Sequence, residues 1–310
     1  MSSPDSVRFH GIYPSVLCPL RADFSVDEAT LARHVADVTA VPGIAGVLCN
    51  GHAGENAWLD RAEQRRVVEV CRDAVGAGRL VVAGINHESS LAAADLARDA
   101  AAAGADAVMV FAPYSWALAQ DEHLAHTHHR IVGAAMDLPM MLFQGSVRAG
   151  RIPYTPAVLR ALVRLPNVVG IKEGSWETSA YEMTRRLVAE AAPHVAVMAS
   201  GDEHLLTCFV LGSEGSLVSL AVIVPELIVE LDRAVRQGDL AAALAVHRVI
   251  QPLAYAIYGA PPGGYATARL KACLKLLGRL PCDAVRPPLG SLGATEIAGL
   301  RDALAAAGLL

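Results

Sequence analysis

The sequence predicts an α/β protein, a (β/α)8 TIM barrel with a C-terminal helical extension, and three observations carry that prediction. Eight short apolar or β-branched runs alternate with alanine-rich helical patterns, the order that builds a parallel sheet. Several runs are entered through a glycine that follows a helix, as in Gly43-Ile44-Ala45-Gly46-Val47, Gly104-Ala105-Asp106-Ala107-Val108 and Gly212-Ser213-Glu214-Gly215-Ser216. Glycine supplies the left-handed residue that turns a helix into the next strand. Eight such units occupy roughly 220 residues, which suits a closed barrel better than an open sheet.

The strands are placed at Gly11–Leu17, Gly46–Cys49, Leu80–Ile85, Ala107–Phe111, Pro139–Phe143, Val168–Lys172, Val195–Ala199 and Gly215–Leu220. Each is a short run rich in Val, Ile, Leu or Met without interior charge, as a strand buried on both faces requires. Helical periodicity fills the intervals near 27–40, 61–76, 90–103, 121–136, 156–164, 178–191 and 203–211. After Pro225 the strand pattern stops, and helices are expected near 226–236, 240–258, 264–278 and 294–307. The barrel is therefore assigned to 1–224 and the helical appendage to 225–310, with no polar linker between them.

Composition narrows the function. The chain has 310 residues, 53% hydrophobic and 18% charged, which excludes intrinsic disorder. A net charge of −5 without a basic stripe argues against nucleic acid or an anionic membrane as partner. Windows of about 20 residues are all interrupted by Asp, Glu, Arg or Pro, so no membrane span is expected. The start, Met1-Ser2-Ser3-Pro4-Asp5, lacks the basic-then-apolar order of a secretory signal. Six scattered cysteines without a C-x-x-C pair read as reduced, mostly buried thiols of a cytoplasmic protein.

Of 26 basic residues only three are lysines, Lys172, Lys271 and Lys275. The last two are four apart in an amphipathic stretch and are expected to share a solvated helix face. Lys172 ends an apolar strand. Reacting groups of such barrels lie at the C-terminal ends of strands and in the loops that follow. Burial there disfavours an ammonium, lowers its pKa and leaves an amine nucleophilic toward carbonyls. The plain alternative is a lysine that reaches solvent at the barrel rim. The same filter selects Asn50–Glu55, Pro113–Trp116, Phe143–Arg148 and Gly201–Glu203.

Gly51-His52-Ala53-Gly54-Glu55 with Leu59 and Glu63-Gln64-Arg65, Gly104–Ala107, Pro113-Tyr114, Pro166–Glu173 and Ser200-Gly201-Asp202 together resemble the dihydrodipicolinate synthase / N-acetylneuraminate lyase family. The similarity runs from Gly11 to the closing Leu310. It implies a barrel with C-terminal helices, a homo-oligomer (tetramer or dimer), no cofactor and no metal. It also implies that Lys172 forms a Schiff base with pyruvate or another 2-oxo acid, with an aldehyde as second substrate.

The departures from that pattern matter as much. Phe143 stands where the family commonly carries a proton-shuttling tyrosine, His52 and Ala53 replace two hydroxyls, and Ser115 replaces a second tyrosine. Some other group must therefore move the proton. His52 is the first candidate, because imidazole titrates near neutrality, and a structural role is its alternative. Ser115 and Tyr114 are candidates for contact with the chemistry. The turn from Gly51, through the N–H groups of His52 and Ala53, offers a cradle for the 2-oxo acid carboxylate. Arg148 can order the site or read a second carboxylate, or be a solvated loop residue. Gly201 is counted with the substrate-binding residues, and Asp202 and Glu203 can face the distal substrate, although helix capping explains Asp202 equally well. Substrate choice is expected among Trp116, Gln144, Ser175 and Trp176, while Glu55 is expected to hold its own loop.

His123, His126 and His129 share a helix stripe beside His128, without a carboxylate or Cys set to complete a metal site. The expected activity is a lyase, an aldolase making or cleaving a C–C bond. The alternatives are a dehydratase of a 2-keto-3-deoxy sugar acid using the same Schiff base, and an inactive homologue that binds a 2-oxo acid.

Overall fold

A computed structural model describes residues 9–310. Its eight parallel strands are β1 (Gly11–Pro14), β2 (Gly46–Cys49), β3 (Leu80–Ile85), β4 (Ala107–Val110), β5 (Met140–Gln144), β6 (Val168–Glu173), β7 (Ala196–Ala199) and β8 (Gly215–Val218). Neighbours in sequence are neighbours in the sheet, and β1 pairs with β8. Between β1 and β2 the Ala45 N–H donates to Ile12 O and the Val16 N–H to Leu48 O, both at 2.9 Å, which closes the ring. All eight expected strands are present. The barrel arises because each run is apolar on both faces and each intervening helix has one face to bury.

Alternation along the strands sorts side chains into two layers. Tyr13, Leu48, Val82, Met109, Met141, Met198 and Leu217 point inward with Phe9 and Phe111 and fill the barrel. Their neighbours, such as Val47, Val81, Val108, Leu142, Ile171 and Val197, point outward under the helices. Those helices are α1 (Glu28–Thr39), α2 (Arg61–Ala74), α3 (Ser90–Ala102), α4 (Ser115–Ala119), α5 (Glu122–Gly133), α6 (Pro156–Leu162), α7 (Thr178–Ala191) and α8 (Leu205–Val210). Asp60 opens α2 with a capping box completed by Glu63, and Asp27, Ser89, Asp121 and Thr155 cap α1, α3, α5 and α6. The short α4 was not expected: five residues after Pro113-Tyr114 are too few to show a helical period.

Four helices follow β8: α9 (Pro225–Arg236), α10 (Leu240–Ala254), α11 (Ala266–Leu276) and α12 (Ala294–Ala306). Helix α9, grouped by sequence with the appendage, follows β8 as other helices follow their strands and packs on α8 and β1. Helix α10 runs on into a π-turn, Tyr255–Gly259. Among the described residues Leu240–Gly259 is long and apolar enough by composition to cross a membrane, although Arg248 and Pro252 interrupt it. Its alanine, leucine and valine content outweighs Arg248 and Pro252. Here it packs on α9 and α12, and Ala243, Ile250, Leu253 and Ile257 belong to the core.

Lys271 corrects an expectation from sequence. It is fully buried on α11 and pairs with the equally buried Glu55, while its amine also donates to Ala284 O at 2.8 Å. Lys275 alone is solvated, paired with Asp283. A spacing of four places two residues on neighbouring faces, but the broad packing of α11 covers one and leaves the other out.

Candidate active site

Strand β6 carries Gly170 and Lys172 toward the barrel axis and Ile171 and Glu173 away from it. Register sets Lys172 beside Phe143 of β5 and Met198 of β7, above the apolar barrel filling. Its Nζ donates to Ser15 Oγ at 3.3 Å and stands 5.9 Å from the centre of the Phe143 ring. The amine opens into a cavity of about 820 Å³ at the C-terminal end of the barrel, walled by loops after the strands and by the helical C-terminal region. Burial lowers the Lys172 pKa to about 8, and the charge of Asp202 opposes that fall.

Asp202, two residues beyond Ser200 at the end of β7, is buried in the cavity wall at 4% exposure. Its Oδ1 accepts the Leu220 N–H at 2.7 Å. The Tyr258 hydroxyl faces it and bonds to Ser219 Oγ at 2.8 Å. Burial raises the Asp202 pKa to about 6, against the pull of the Leu220 N–H, of Lys172 and of Tyr258. The capping reading of Asp202 is corrected here, since α8 starts at Leu205, with His204 before it, and has no side-chain cap.

The loop after β2 folds back on itself. Gly51 O accepts the N–H groups of Gly54 and Asn56, and His52 O accepts that of Glu55. Among the described residues the N–H groups of His52 and Ala53 find no partner, and both residues line the cavity. Asn50 and Glu55 hold left-handed backbone (φ 49° and 60°), which sharpens the turn. Glu55 anchors it by accepting from Lys271 and, at 2.9 Å, from the Arg286 N–H. The loop is thus held by α11 and the segment after it, beyond its own residues.

This chain matches the profile of the dihydrodipicolinate synthetase family over residues 8–307. It belongs to that family. A 4-hydroxy-tetrahydrodipicolinate synthase of Methanothrix thermoacetophila is 31% identical over 296 residues, 96% of either chain. An uncharacterized DapA-like lyase of Halobacterium salinarum is 32% identical, covering 99% of this chain and 97% of that one. Among solved structures, YagE, a prophage protein of the dihydrodipicolinic acid synthase family from E. coli K12 in complex with pyruvate, superposes with a TM-score of 0.89 at 26% identity, over 97% of this chain and 99% of that one. The chain is accordingly a lyase of the dihydrodipicolinate synthetase family.

On this dihydrodipicolinate synthetase barrel, Lys172, His52, Ala53, Tyr114, Phe143, Arg148 and Asp202 line one cavity. Gly51 and Gly201 shape its turns: Gly51 O takes two N–H groups, and Gly201 O takes that of His204. His52 is open to the cavity, with its ring 4.5 Å from Phe111 and 5.3 Å from Phe143. The protein walls and the nearby Lys172 ammonium both push its pKa below the usual imidazole value. Arg148 is exposed at the mouth near Glu203, whose carboxyl is raised by partial burial. Ser115 is turned away: its N–H donates to Glu88 at 3.0 Å, and it lies outside the cavity lining. Tyr114 is 56% exposed at the rim.

Of the four residues expected to choose substrate, only Trp176 lines the cavity. Trp116 is buried with its indole N–H on Ile152 O at 2.9 Å, and Gln144 is bonded at both ends of its amide to the Tyr154 backbone. Ser175 bonds to Glu173, whose carboxyl is buried outside the barrel. The histidine stripe also divides. His129 bonds to Ala125 O and Tyr154, His128 to Ser90, and His123 to Thr127 on the surface.

Sequence reasoning missed Ser15, Asn56, Ser219 and Tyr258. Asn56 is 2% exposed, lines the cavity, and has neither side-chain polar atom bonded. Its position directly after the Gly51–Glu55 turn was the available signal. Tyr258 lies in an appendage helix, where nothing local marks it.

Proposed function

We propose that this lyase forms a Schiff base between Lys172 and pyruvate, or another 2-oxo acid, and acts as an aldolase that makes or cleaves a C–C bond to an aldehyde. The observation that carries the reading is the Lys172 amine, held near pKa 8 at the floor of an 820 Å³ cavity beside two unpartnered backbone N–H groups. The pyruvate complex of YagE supports a 2-oxo acid as the first substrate.

The residues divide the work. The N–H groups of His52 and Ala53 hold the carboxylate, which aims the ketone carbon at Lys172 Nζ. The neutral amine attacks, and loss of water leaves an iminium whose positive charge draws electrons from C2. Removal of a C3 proton gives an enamine, and its C3 adds to the aldehyde carbon; the reverse sequence cleaves that bond. Ser15 orients the amine. Phe143 replaces the family's tyrosine and supplies only an apolar wall, so the proton relay is rearranged. Trp176, Arg148 and Glu203 are placed to meet the distal part of the substrate.

We further propose a cytoplasmic homo-oligomer, a dimer or tetramer. All six cysteines are unpaired, as a reducing compartment favours, and Tyr114 and Leu118, four residues apart, are exposed apolar side chains for a partner subunit to cover.

Borohydride reduction in the presence of pyruvate, read by peptide mass spectrometry, tests the reading. The expected result is one stable pyruvyl adduct on the peptide holding Lys172, absent from Lys172→Ala. Failure to trap pyruvate or any longer deoxy-keto acid overturns the Schiff base. Product analysis separates the two chemistries: an aldolase releases pyruvate, whereas a dehydratase keeps every carbon in one product.

A further inference from the structure

The Schiff-base reading leaves the C3 proton without an acceptor, because Phe143 has no exchangeable group. His52 is a poor substitute, with its ring against Phe111 and Phe143 and beside a cation. The opposite wall of the cavity carries a better one. Asp202 reaches the cavity from the loop after β7, Ser219 from the segment after β8, and Tyr258 from the π-turn that ends α10.

These groups are built in, with their bonds already made. Asp202 Oδ1 is fixed by the Leu220 N–H. Tyr258 is held by Ser219 at its hydroxyl and by Trp176 against its ring, 5.3 Å between centres. The buried guanidinium of Arg269 donates to Ile257 O at 3.0 Å and Ala260 O at 2.8 Å, pinning the turn that presents Tyr258. Asp202 and Lys172 line the same cavity, and the charge of Asp202 acts on the amine. A 2-oxo acid bound in that cavity lies between the two elements, β6 and the loop after β7, that carry the amine and the carboxylate.

We propose that Asp202 is the catalytic base that takes the C3 proton from the Lys172 iminium, with Tyr258 and Ser219 as the residues that position it. This rests on the Schiff-base reading above. In the step, the C3–H bond breaks and its electron pair becomes the C2=C3 bond. The C2=N pair moves onto nitrogen, and the proton goes to Asp202. An iminium and a carboxylate become a neutral enamine and a neutral acid, a change that a low-dielectric site favours. The acid then returns the proton when the enamine is quenched.

The test needs only pyruvate. Its methyl protons exchange for deuterium in D2O through the enamine, and proton NMR follows the loss. Asp202→Asn keeps an oxygen for the Leu220 N–H and is expected to retain the borohydride adduct while exchange falls about a hundredfold or more. Tyr258→Phe removes a donor from the carboxylate, so the acid limb of the exchange profile moves to higher pH and the rate falls. Unchanged exchange in Asp202→Asn with the adduct still formed overturns the base and leaves the Schiff base standing. An unaltered protein that traps neither pyruvate nor a longer 2-oxo acid overturns both.

Discussion

At the scale of single residues, the site depends on the ionisation of Lys172. An ordinary lysine is almost wholly protonated at pH 7, whereas an amine with a pKa of about 8 is neutral in roughly a tenth of molecules. Burial lowers the value and Asp202 raises it, so the two effects can be separated. The initial rate of borohydride trapping with excess pyruvate should rise with pH and reach half its maximum near 8. In Asp202→Asn the opposing charge is gone, and the midpoint should move to lower pH. A midpoint at or above 10 in the unaltered protein would show that the amine is not desolvated. Lys172 was legible in the sequence because one of only three lysines in an arginine-rich chain ended an apolar strand. Ser15, its hydrogen-bond partner, was not, since a serine at a strand end carries no signal until the barrel closes β1 onto β8.

At the scale of elements, the loop after β2 and helix α11 form one unit. Glu55 and Lys271 are both fully buried, 216 residues apart, and the Arg286 N–H completes the cluster. Removing one partner of such a pair strands a charge, at a cost of about 3 kcal/mol. Lys271→Met should therefore lower the free energy of urea unfolding by about that amount. It should also raise KM for the 2-oxo acid, because the N–H cradle of His52 and Ala53 loses its anchor. Glu55→Gln combined with Lys271→Met should recover part of the stability, which a double-mutant cycle would read. A pair whose loss costs nothing would mean that the loop holds its own shape. Elements were more legible than the links between them. Short apolar runs and glycine turns revealed every strand, since burial on both faces leaves a local mark. Glu55 with Lys271 and Asp202 with Tyr258 join residues tens to hundreds of positions apart, and periodicity carries no trace of such contacts. Gln144 was misjudged for a related reason: it ends β5 as Lys172 nearly ends β6, but alternation turns its side chain to the Tyr154 backbone.

At the scale of the whole molecule, buried ionisable groups shifted in opposite directions set how stability responds to pH. His34, His128 and His129 are packed as neutral rings, with pKa values lowered by burial to about 4, 4 and 3. The unfolded chain binds protons at these positions below its own histidine pKa of about 6.5. Their contribution is therefore complete above that value and is lost as pH falls toward 4. Glu173 acts in the opposite sense. Burial raises its pKa to about 7, against hydrogen bonds from Ser175 and Thr184, so the folded state keeps a proton that the unfolded chain releases near 4.5. That contribution is present below 4.5 and is lost as pH rises to 7. Asp202, raised to about 6, adds to it over the lower part of the range. The two sets oppose each other between 4.5 and 6.5; from there to about 7 Glu173 sets the slope, and at higher pH Lys172, lowered to about 8, acts in the opposite sense. Glu173→Gln mimics the neutral acid: its oxygen can accept from Ser175 and its amide can donate to the Thr184 hydroxyl. The variant should gain on the order of 2 kcal/mol at pH 7.5 and little at pH 4.5, with the Glu173 share of the fall in stability toward pH 7 removed. Urea unfolding at those pH values measures both, and an equal change at each would show that Glu173 is not held protonated by the fold.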